Sequence, residues 1–147
     1  MYPATIEHFM WQAIHEGRKA LPQCRPNPPV GCVLVRDNEI IAAGHTNAPG
    51  RHHAEAMALS QLEDAILADV LAFVTLEPCS FFGRTPSCAK ALLARQIKEI
   101  YVGIIDPDPR NNGAGIALLR AGGVNVRIGI LAEVIQQELG PYLATRC

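Results

Sequence analysis

The sequence predicts an α/β fold in which a mostly parallel sheet lies between layers of helices. Short apolar runs of strand length alternate with segments whose apolar residues recur every three or four positions, the period of an amphipathic helix. Two early strand-like runs are separated only by Asp37 and Asn38, so we expect the sheet to begin with a hairpin. The 147 residues, 49% of them hydrophobic, suit a single domain over residues 1–147.

The predicted elements follow in order along the chain. Apolar residues from Ile6 to Ile14 have helical spacing, and we expect Gly17 and Pro22 to end this first helix. A proline-rich loop over 22–29 follows. We then expect strands at 30–35 and 39–43, a helix at 53–62, a strand at 70–76, a helix capped at Thr85–Pro86 and running to Ala94, a strand at 100–105, a helix at 115–121, a strand at 124–128 and a helix at 131–139.

Composition argues against several classes of protein. Thirteen basic and 14 acidic residues give a net charge of −1 without a basic run, which disfavours nucleic acid as the main partner. The apolar run at 66–76 is interrupted by Asp69 and is too short to span a membrane, and the first residues do not resemble a secretory signal. Five cysteines without the spacing of a disulfide scaffold indicate a reduced, cytoplasmic protein.

Four residues form a pattern that can carry chemistry. His53 and Glu55 stand at the predicted start of one helix, Cys79 follows a buried strand, and Cys88 belongs to the first turn of the next helix. Catalytic zinc needs three protein ligands and an open position for water, and His53, Cys79 and Cys88 would supply those metal ligands. Glu55 would be the catalytic residue that takes a proton from the water and returns protons to the substrate.

The cluster has two other interpretations. A structural zinc site normally has four protein ligands, and the nearest further candidate is His52, which we expect to be a loop histidine. Glu55 alone could be an ordinary carboxylate in the first turn of a helix, where negative charge is favoured. The combination of all four residues favours catalytic zinc.

The order H-x-E and then P-C with a second cysteine is the signature of zinc deaminases that act on nucleobases, although here the second cysteine follows nine positions after the first. The chain as a whole resembles the deaminase domain of the bifunctional riboflavin-biosynthesis enzyme. The matching runs are N-P-P-V-G-C at 27–32, G-R-H-H-A-E at 50–55, T-L-E-P-C-S-F-F-G-R-T-P-S-C at 75–88 and D-P-D-P at 106–109.

This resemblance implies a three-layer α/β/α cytidine-deaminase-like fold with a five-stranded mixed sheet and one catalytic Zn²⁺ per chain. It also implies a hydrolase that releases ammonia from a cyclic amidine, here a diaminopyrimidine that carries a phosphoribosyl group. A homo-oligomer, either a dimer or a tetramer, is expected from the same resemblance. The chain stops where the family's deaminase domain would, so we expect the reductase domain to be absent.

The resemblance also implies substrate contacts at three matching positions, namely Asn27, Arg84 and Asp106. Three further substrate-binding positions depart from the family. Thr46 and Phe81 stand where it usually has histidine, and Asp108 stands where it has asparagine. Because a buried polar group that loses its partner costs about 1–3 kcal/mol, we expect the riboflavin-pathway compound to be a poor substrate and a related ring to be preferred. We also expect Asp108 to repel phosphate unless Arg84 compensates.

Two further functions remain as alternatives. A deaminase of nucleosides, nucleobases or RNA bases would share the zinc cluster, but the near-neutral charge and the long spacing between the cysteines count against an RNA substrate. A non-catalytic zinc module would have no use for Glu55. The expected partner is therefore a small aminopyrimidine or nucleotide, with neither nucleic acid nor a membrane. No role follows from the sequence for Cys24 or Cys147.

Overall fold

The computed structural model describes residues 2–63, 65–80 and 87–143. Within them, five helices and five strands follow one another largely in the predicted order. Their bounds are α1 Pro3–Arg18, β1 Gly31–Arg36, β2 Glu39–His45, α2 Ala54–Ser60, β3 Leu71–Leu76, α3 Cys88–Ala94, β4 Glu99–Ile104, α4 Ala114–Ala121, β5 Asn125–Ile128 and α5 Ala132–Leu143.

The strands form one mixed sheet in the order β2-β1-β3-β4-β5, which confirms the expected five-stranded architecture. β1 and β2 form the predicted hairpin, and β1 also pairs antiparallel with β3. The β3–β4 and β4–β5 pairs are parallel, so half of the pairings, not most of them, are parallel. The sheet has fewer parallel pairs than expected because β1 is antiparallel to both of its neighbours, β2 and β3.

The strand directions bring three connecting segments to one edge of the sheet. Since β2 and β3 both run opposite to β1, they run the same way as β4 and β5. The carboxyl ends of β2, β3 and β4 therefore lie at the same edge, where open α/β sheets hold their ligands. The segments that follow these three strands begin at residues 46, 77 and 105.

Helices cover both faces of the sheet. α1 packs on β1 and β3, where Phe9 contacts Phe73 with ring centroids 5.5 Å apart and Phe73 stacks on Tyr101 at 4.6 Å. α5 lies on the same face as α1. A Cβ added to Gly103 of β4 would clash with the side chain of Ile135 in α5, so this helix packs directly on the strand. α2 packs on β2 and β1 from the other side and also contacts α3, which in turn packs against α4.

Several helix ends differ from the prediction. α1 continues one residue past Gly17, and that glycine instead allows close packing, since its Cβ would lie 2.6 Å from the carbonyl oxygen of Pro29. His53 precedes α2 as its N-cap, and α3 is capped by Ser87, whose hydroxyl accepts a hydrogen bond from the backbone N–H of Lys90. The expected cap at Thr85–Pro86 lies outside the described residues. α5 runs on to Leu143, with Pro141 inside it.

Among the described helices, none has the length and apolar character needed to cross a membrane.

The approach of α2 to β2 depends on Gly44. A Cβ at this position would lie 2.2 Å from the carbonyl oxygen of Ala54 and 2.6 Å from the backbone nitrogen of Ala58. Both atoms belong to helix backbone, which cannot move aside like the end of a flexible side chain. The absence of a side chain at Gly44 thus sets how closely the helix that carries Glu55 packs on the sheet.

We therefore expect Gly44→Ala to lower the free energy of unfolding by about 1–3 kcal/mol, the usual cost of overpacking a core. The matched control is Gly140→Ala in α5, where the new methyl would meet only the side-chain nitrogen of Gln136 at 3.3 Å. This control should leave stability unchanged or raise it by about 0.5–1 kcal/mol. Urea unfolding followed by circular dichroism measures both, and equal stability of the two variants would contradict the packing argument.

Candidate metal and active site

His53 lies between the end of β2 and the start of α2. As the N-cap of α2 it has an extended backbone, and its side chain does not cap the helix. The imidazole instead points to two cysteines, with Nδ1 3.3 Å from Cys88 Sγ and 3.8 Å from Cys79 Sγ. The structure thus brings together three ligand atoms from segments that are 26 and 9 residues apart in the chain.

Cys79 is fixed by the first turn of α3. Its sulfur accepts a hydrogen bond from the backbone N–H of Cys88 at 3.2 Å, and its carbonyl oxygen accepts one from Ala89 at 3.0 Å. The first N–H groups of a helix have no partner within the helix, so Cys79 satisfies two donors that would otherwise lack one. Cys88 is the first residue of α3 and is buried.

The two thiols affect each other's ionisation. Hydrogen bonds from Cys88, and then from His53, lower the pKa of Cys79 to about 4. The same contact with Cys79, followed by burial, raises the pKa of Cys88 well above its usual value. One thiolate is therefore stabilised at the expense of the other, and a bound dication would stabilise both as thiolates.

The donor set fits Zn²⁺. His53 Nδ1 and the sulfurs of Cys79 and Cys88 lie within 4.8 Å of one another. Tetrahedral zinc with ordinary Zn–N and Zn–S bond lengths requires ligand atoms roughly 3.5–3.8 Å apart, close to the two N–S distances found here. A histidine with two cysteines is also a known ligand set of catalytic zinc, which leaves the fourth position for water.

Glu55 lies in the first turn of α2, with only 4% of its surface exposed. Burial, and then the negative charge of Cys79, raises the pKa of its carboxyl group to about 7. A carboxyl group with such a pKa can both accept and donate protons near neutral pH, as general acid–base catalysis requires.

A cavity of about 140 Å³ opens next to these residues. Asn27, Thr46 and Asp106, three of the expected substrate contacts, are on its wall. The hydroxyl oxygen of Thr46 accepts a hydrogen bond from the backbone N–H of Val30, which ties this wall to the start of β1. Phe81 and Arg84, two further expected contacts, lie outside the described residues. The remaining lining residues are Pro28, Val30, His53, Ala54, Glu55, Leu76, Glu77, Cys79 and Arg110.

Asp108 has a different environment from the one expected. It is not among the residues that line the cavity in the described part of the chain. Its carboxylate instead binds Arg110, with Arg110 Nη2 2.6 Å from Oδ2 and the backbone N–H of Arg110 donating to Oδ1 at 2.9 Å. Arg110 itself is on the cavity wall, and sequence reasoning missed it.

Glu77 is a second residue that sequence reasoning missed. Its buried carboxylate accepts three backbone hydrogen bonds, from Asp106 at 3.1 Å, Gly113 at 2.9 Å and Ile116 at 3.0 Å. These bonds join the end of β3 to the loop after β4 and to the start of α4. The sequence signal was present only as a charged residue directly after an apolar strand and before Pro78.

Asn111 completes the same connection. Its amide nitrogen donates to the carbonyl oxygen of Pro78 at 3.2 Å and to Asp106 Oδ2 at 3.3 Å, while its amide oxygen accepts from Gly115 at 3.1 Å. Because Pro78 directly precedes Cys79, the loop after β4 helps to place a candidate metal ligand. The backbone N–H of Asp108 also donates to Asp106 Oδ1 at 3.0 Å, so this loop is internally bonded.

Comparison with known proteins shows which family and which relatives this chain resembles. Residues 3–104 match the family described as the cytidine and deoxycytidylate deaminase zinc-binding region. The riboflavin biosynthesis protein RibD of Chlamydia pneumoniae is 41% identical over 138 residues, which are 94% of this chain and 36% of that protein. The diaminohydroxyphosphoribosylamino-pyrimidine deaminase of Buchnera aphidicola is 35% identical over 88% of this chain and 87% of its own length.

Solved structures agree with these matches. RibD of Acinetobacter baumannii superposes with a TM-score of 0.89 at 37% identity, covering 97% of this chain and 40% of that one. The diaminohydroxyphosphoribosylaminopyrimidine deaminase/5-amino-6-(5-phosphoribosylamino)uracil reductase of Thermotoga maritima gives a TM-score of 0.91 at 35% identity, covering 98% and 42%. This chain thus spans between a third and a half of the length of most of the relatives compared.

The three bonds to Glu77 lead to a prediction about stability. Glu77→Gln keeps the size of the side chain but places an amide N–H against a backbone donor, so we expect it to lower the free energy of unfolding by about 1–3 kcal/mol. Glu133→Gln is the matched control, because Glu133 is an exposed acid in the first turn of α5 and should change stability by less than about 1 kcal/mol. Thermal and urea unfolding measure both, and a similar small loss in each variant would refute the role given to Glu77.

Proposed function

The chain belongs to the cytidine and deoxycytidylate deaminase zinc-binding family, and from that membership we propose that it is a zinc-dependent hydrolytic deaminase of an aminopyrimidine. The proposed substrate is of the diaminohydroxyphosphoribosylaminopyrimidine type that names the Buchnera relative. The observation that carries the proposal has two parts. The ligand atoms of His53, Cys79 and Cys88 lie within 4.8 Å of one another, and His53, Cys79 and buried Glu55 line one cavity.

His53, Cys79 and Cys88 would hold one Zn²⁺. When bound, this ion supplies the Lewis acidity that makes water a nucleophile near neutral pH. Glu55 takes a proton from the water as its oxygen bonds to the ring carbon that carries the amine. Glu55 would pass this proton to the ring nitrogen. It would then take the second proton from the hydroxyl group now on the ring carbon and deliver it to the departing amine as the carbon–nitrogen bond breaks. Water and the amidine are thereby converted into a ring carbonyl and ammonia.

Asn27, Thr46 and Asp106 are proposed to hold the ring. All three line the cavity with Glu55, and the amide of Asn27 can both donate and accept hydrogen bonds. Contacts from Phe81 and Arg84 remain predictions, as does the altered ring preference that follows from Thr46, Phe81 and Asp108. The repulsion of phosphate expected from Asp108 needs revision, because Arg110 pairs with this carboxylate.

The alternatives are not favoured, because the named relatives of the chain are riboflavin-pathway proteins and a deaminase of a small pyrimidine. A homo-oligomer, a dimer or a tetramer, remains a prediction, and so does a cytoplasmic location. A reducing compartment is consistent with a function that needs two thiolates as metal ligands.

We expect metal analysis of the purified protein to give one zinc per chain. Cys88→Ser should reduce the zinc content to a small fraction of that value, because a hydroxyl is a much poorer ligand than a thiolate. Cys24→Ser is the matched control, since Cys24 is equally buried but hydrogen-bonds to the carbonyl oxygen of Asn27, as serine also could. Zinc-free wild-type protein from zinc-supplemented medium, or full zinc in the Cys88 variant, would exclude the proposed site.

The proposed reaction is tested by ammonia release from diaminohydroxyphosphoribosylaminopyrimidine, from other aminopyrimidines, from cytidine nucleosides and nucleotides, and from short RNA. Glu55→Gln should retain zinc and fold but lose roughly 10²–10⁴-fold in kcat, the contribution of a positioned acid–base group. Glu63→Gln, an exposed carboxylate after the end of α2, should keep full activity. Turnover of RNA alone, or of no compound at all by zinc-loaded protein, would overturn the proposal.

A further inference from the structure

Arg110 lies at the rim of the cavity. It shares the cavity wall with Glu55 and Asp106, which are 4% and 3% exposed and form the floor. The side chain of Arg110, in contrast, is 52% exposed. A ring whose amine carbon approaches Glu55 would therefore occupy a cavity that Arg110 borders on its exposed side.

The loop around Arg110 orients this guanidinium group. Arg110 Nε lies 3.1 Å and 3.2 Å from the two oxygens of Asp108, and Nη2 lies 2.6 Å from Oδ2. The backbone N–H of Asn111 donates to the carbonyl oxygen of Asp108 at 2.9 Å, and Asn111 is itself bonded to Pro78. The guanidinium group is thus held on one edge by a carboxylate whose loop is tied to the metal-binding segment.

The charge of the wall distinguishes Arg110 from its neighbours. Glu55, Glu77 and Asp106 all contribute carboxyl groups to the cavity. Among the wall residues that the structure describes, Arg110 alone carries a guanidinium or ammonium group. An anionic group on a substrate would be repelled from the floor and attracted to this part of the rim.

We propose that Arg110 binds a phosphate monoester on the substrate and so determines specificity for phosphorylated over unphosphorylated aminopyrimidines. A guanidinium group has five N–H donors, so it can hold a carboxylate on one edge and bind a second anion on another. Asp108 then does not exclude phosphate, because its charge is balanced by the cation that receives the phosphate. This inference rests on the proposed deaminase function and adds to it the residue that recognises the anionic substituent.

The test compares Arg110→Gln with Arg36→Gln. Arg36 also forms a bidentate ion pair with an aspartate, with distances of 2.9 Å and 3.1 Å to the two oxygens of Asp69. Arg36 is the last residue of β1, however, and lies at the opposite edge of the sheet. For each variant, kcat/KM is measured with diaminohydroxyphosphoribosylaminopyrimidine and with its dephosphorylated form. We expect Arg110→Gln to lose about 10- to 100-fold with the phosphorylated compound only, the range of a charge-assisted hydrogen bond. Arg36→Gln should match the wild type with both compounds.

An equal loss with both compounds in Arg110→Gln would overturn the inference, because Arg110 would then only support the loop. If Arg110→Gln leaves kcat/KM unchanged with both compounds, the inference is also overturned. If wild-type protein releases ammonia from neither compound, binding of ribose 5-phosphate by calorimetry decides the role of Arg110. The proposed function fails separately, when no aminopyrimidine of the wider panel is turned over. Weaker binding in Arg110→Gln than in Arg36→Gln supports a phosphate site, and equal binding rejects it.

Discussion

The buried carboxylate of Glu77 connects the two halves of the site. It follows β3 directly and accepts hydrogen bonds from three backbone N–H groups, two of them in the loop after β4 and one in α4. Two residues after Glu77 the chain reaches Cys79, and the loop held by these bonds contains Asp106 and Arg110. Glu77, together with Asn111, therefore helps to set the distance between a candidate metal ligand and the far wall of the cavity.

The local concentration of negative charge has a structural consequence. The sulfur of Cys79 and the carboxyl groups of Glu55 and Asp106 border one cavity, and the sulfur of Cys88 lies close to that of Cys79. Like charges brought together in a buried site repel one another. Burial, and then the charge of Cys79, raises the pKa of Glu55, while the contact with Cys79, and then burial, raises the pKa of Cys88. A dication held by His53 and both cysteines would offset much of the charge, so that metal binding and the assembly of the site support each other.

The sequence alone predicted the structure correctly wherever local patterning determines it. Alternation of apolar runs and helical periodicity gave the elements in order, and the Asp37–Asn38 turn gave the hairpin, in which both residues adopt positive φ. It was not sufficient where partners are distant. Nothing near Glu77 in the chain shows that its partners lie about 30 to 40 residues away, and the packing role of Gly17 depends on a strand that follows it by more than ten residues.

The residues that perform the chemistry and those that select the substrate are supported differently. His53 and Glu55 lie at the start of α2, which packs on β2 and β1, and Cys88 begins α3, which packs against α2 and α4. Arg110 and Asp108 belong to the loop after β4, which is held by hydrogen bonds within the loop and by bonds to Glu77 and Pro78. Replacing Asp108 or Arg110 with another residue would alter the charge at the rim of the cavity without displacing Glu55. A different charge at the rim is therefore compatible with an unchanged reaction at Glu55, because α2 holds Glu55 and the loop after β4 holds Arg110.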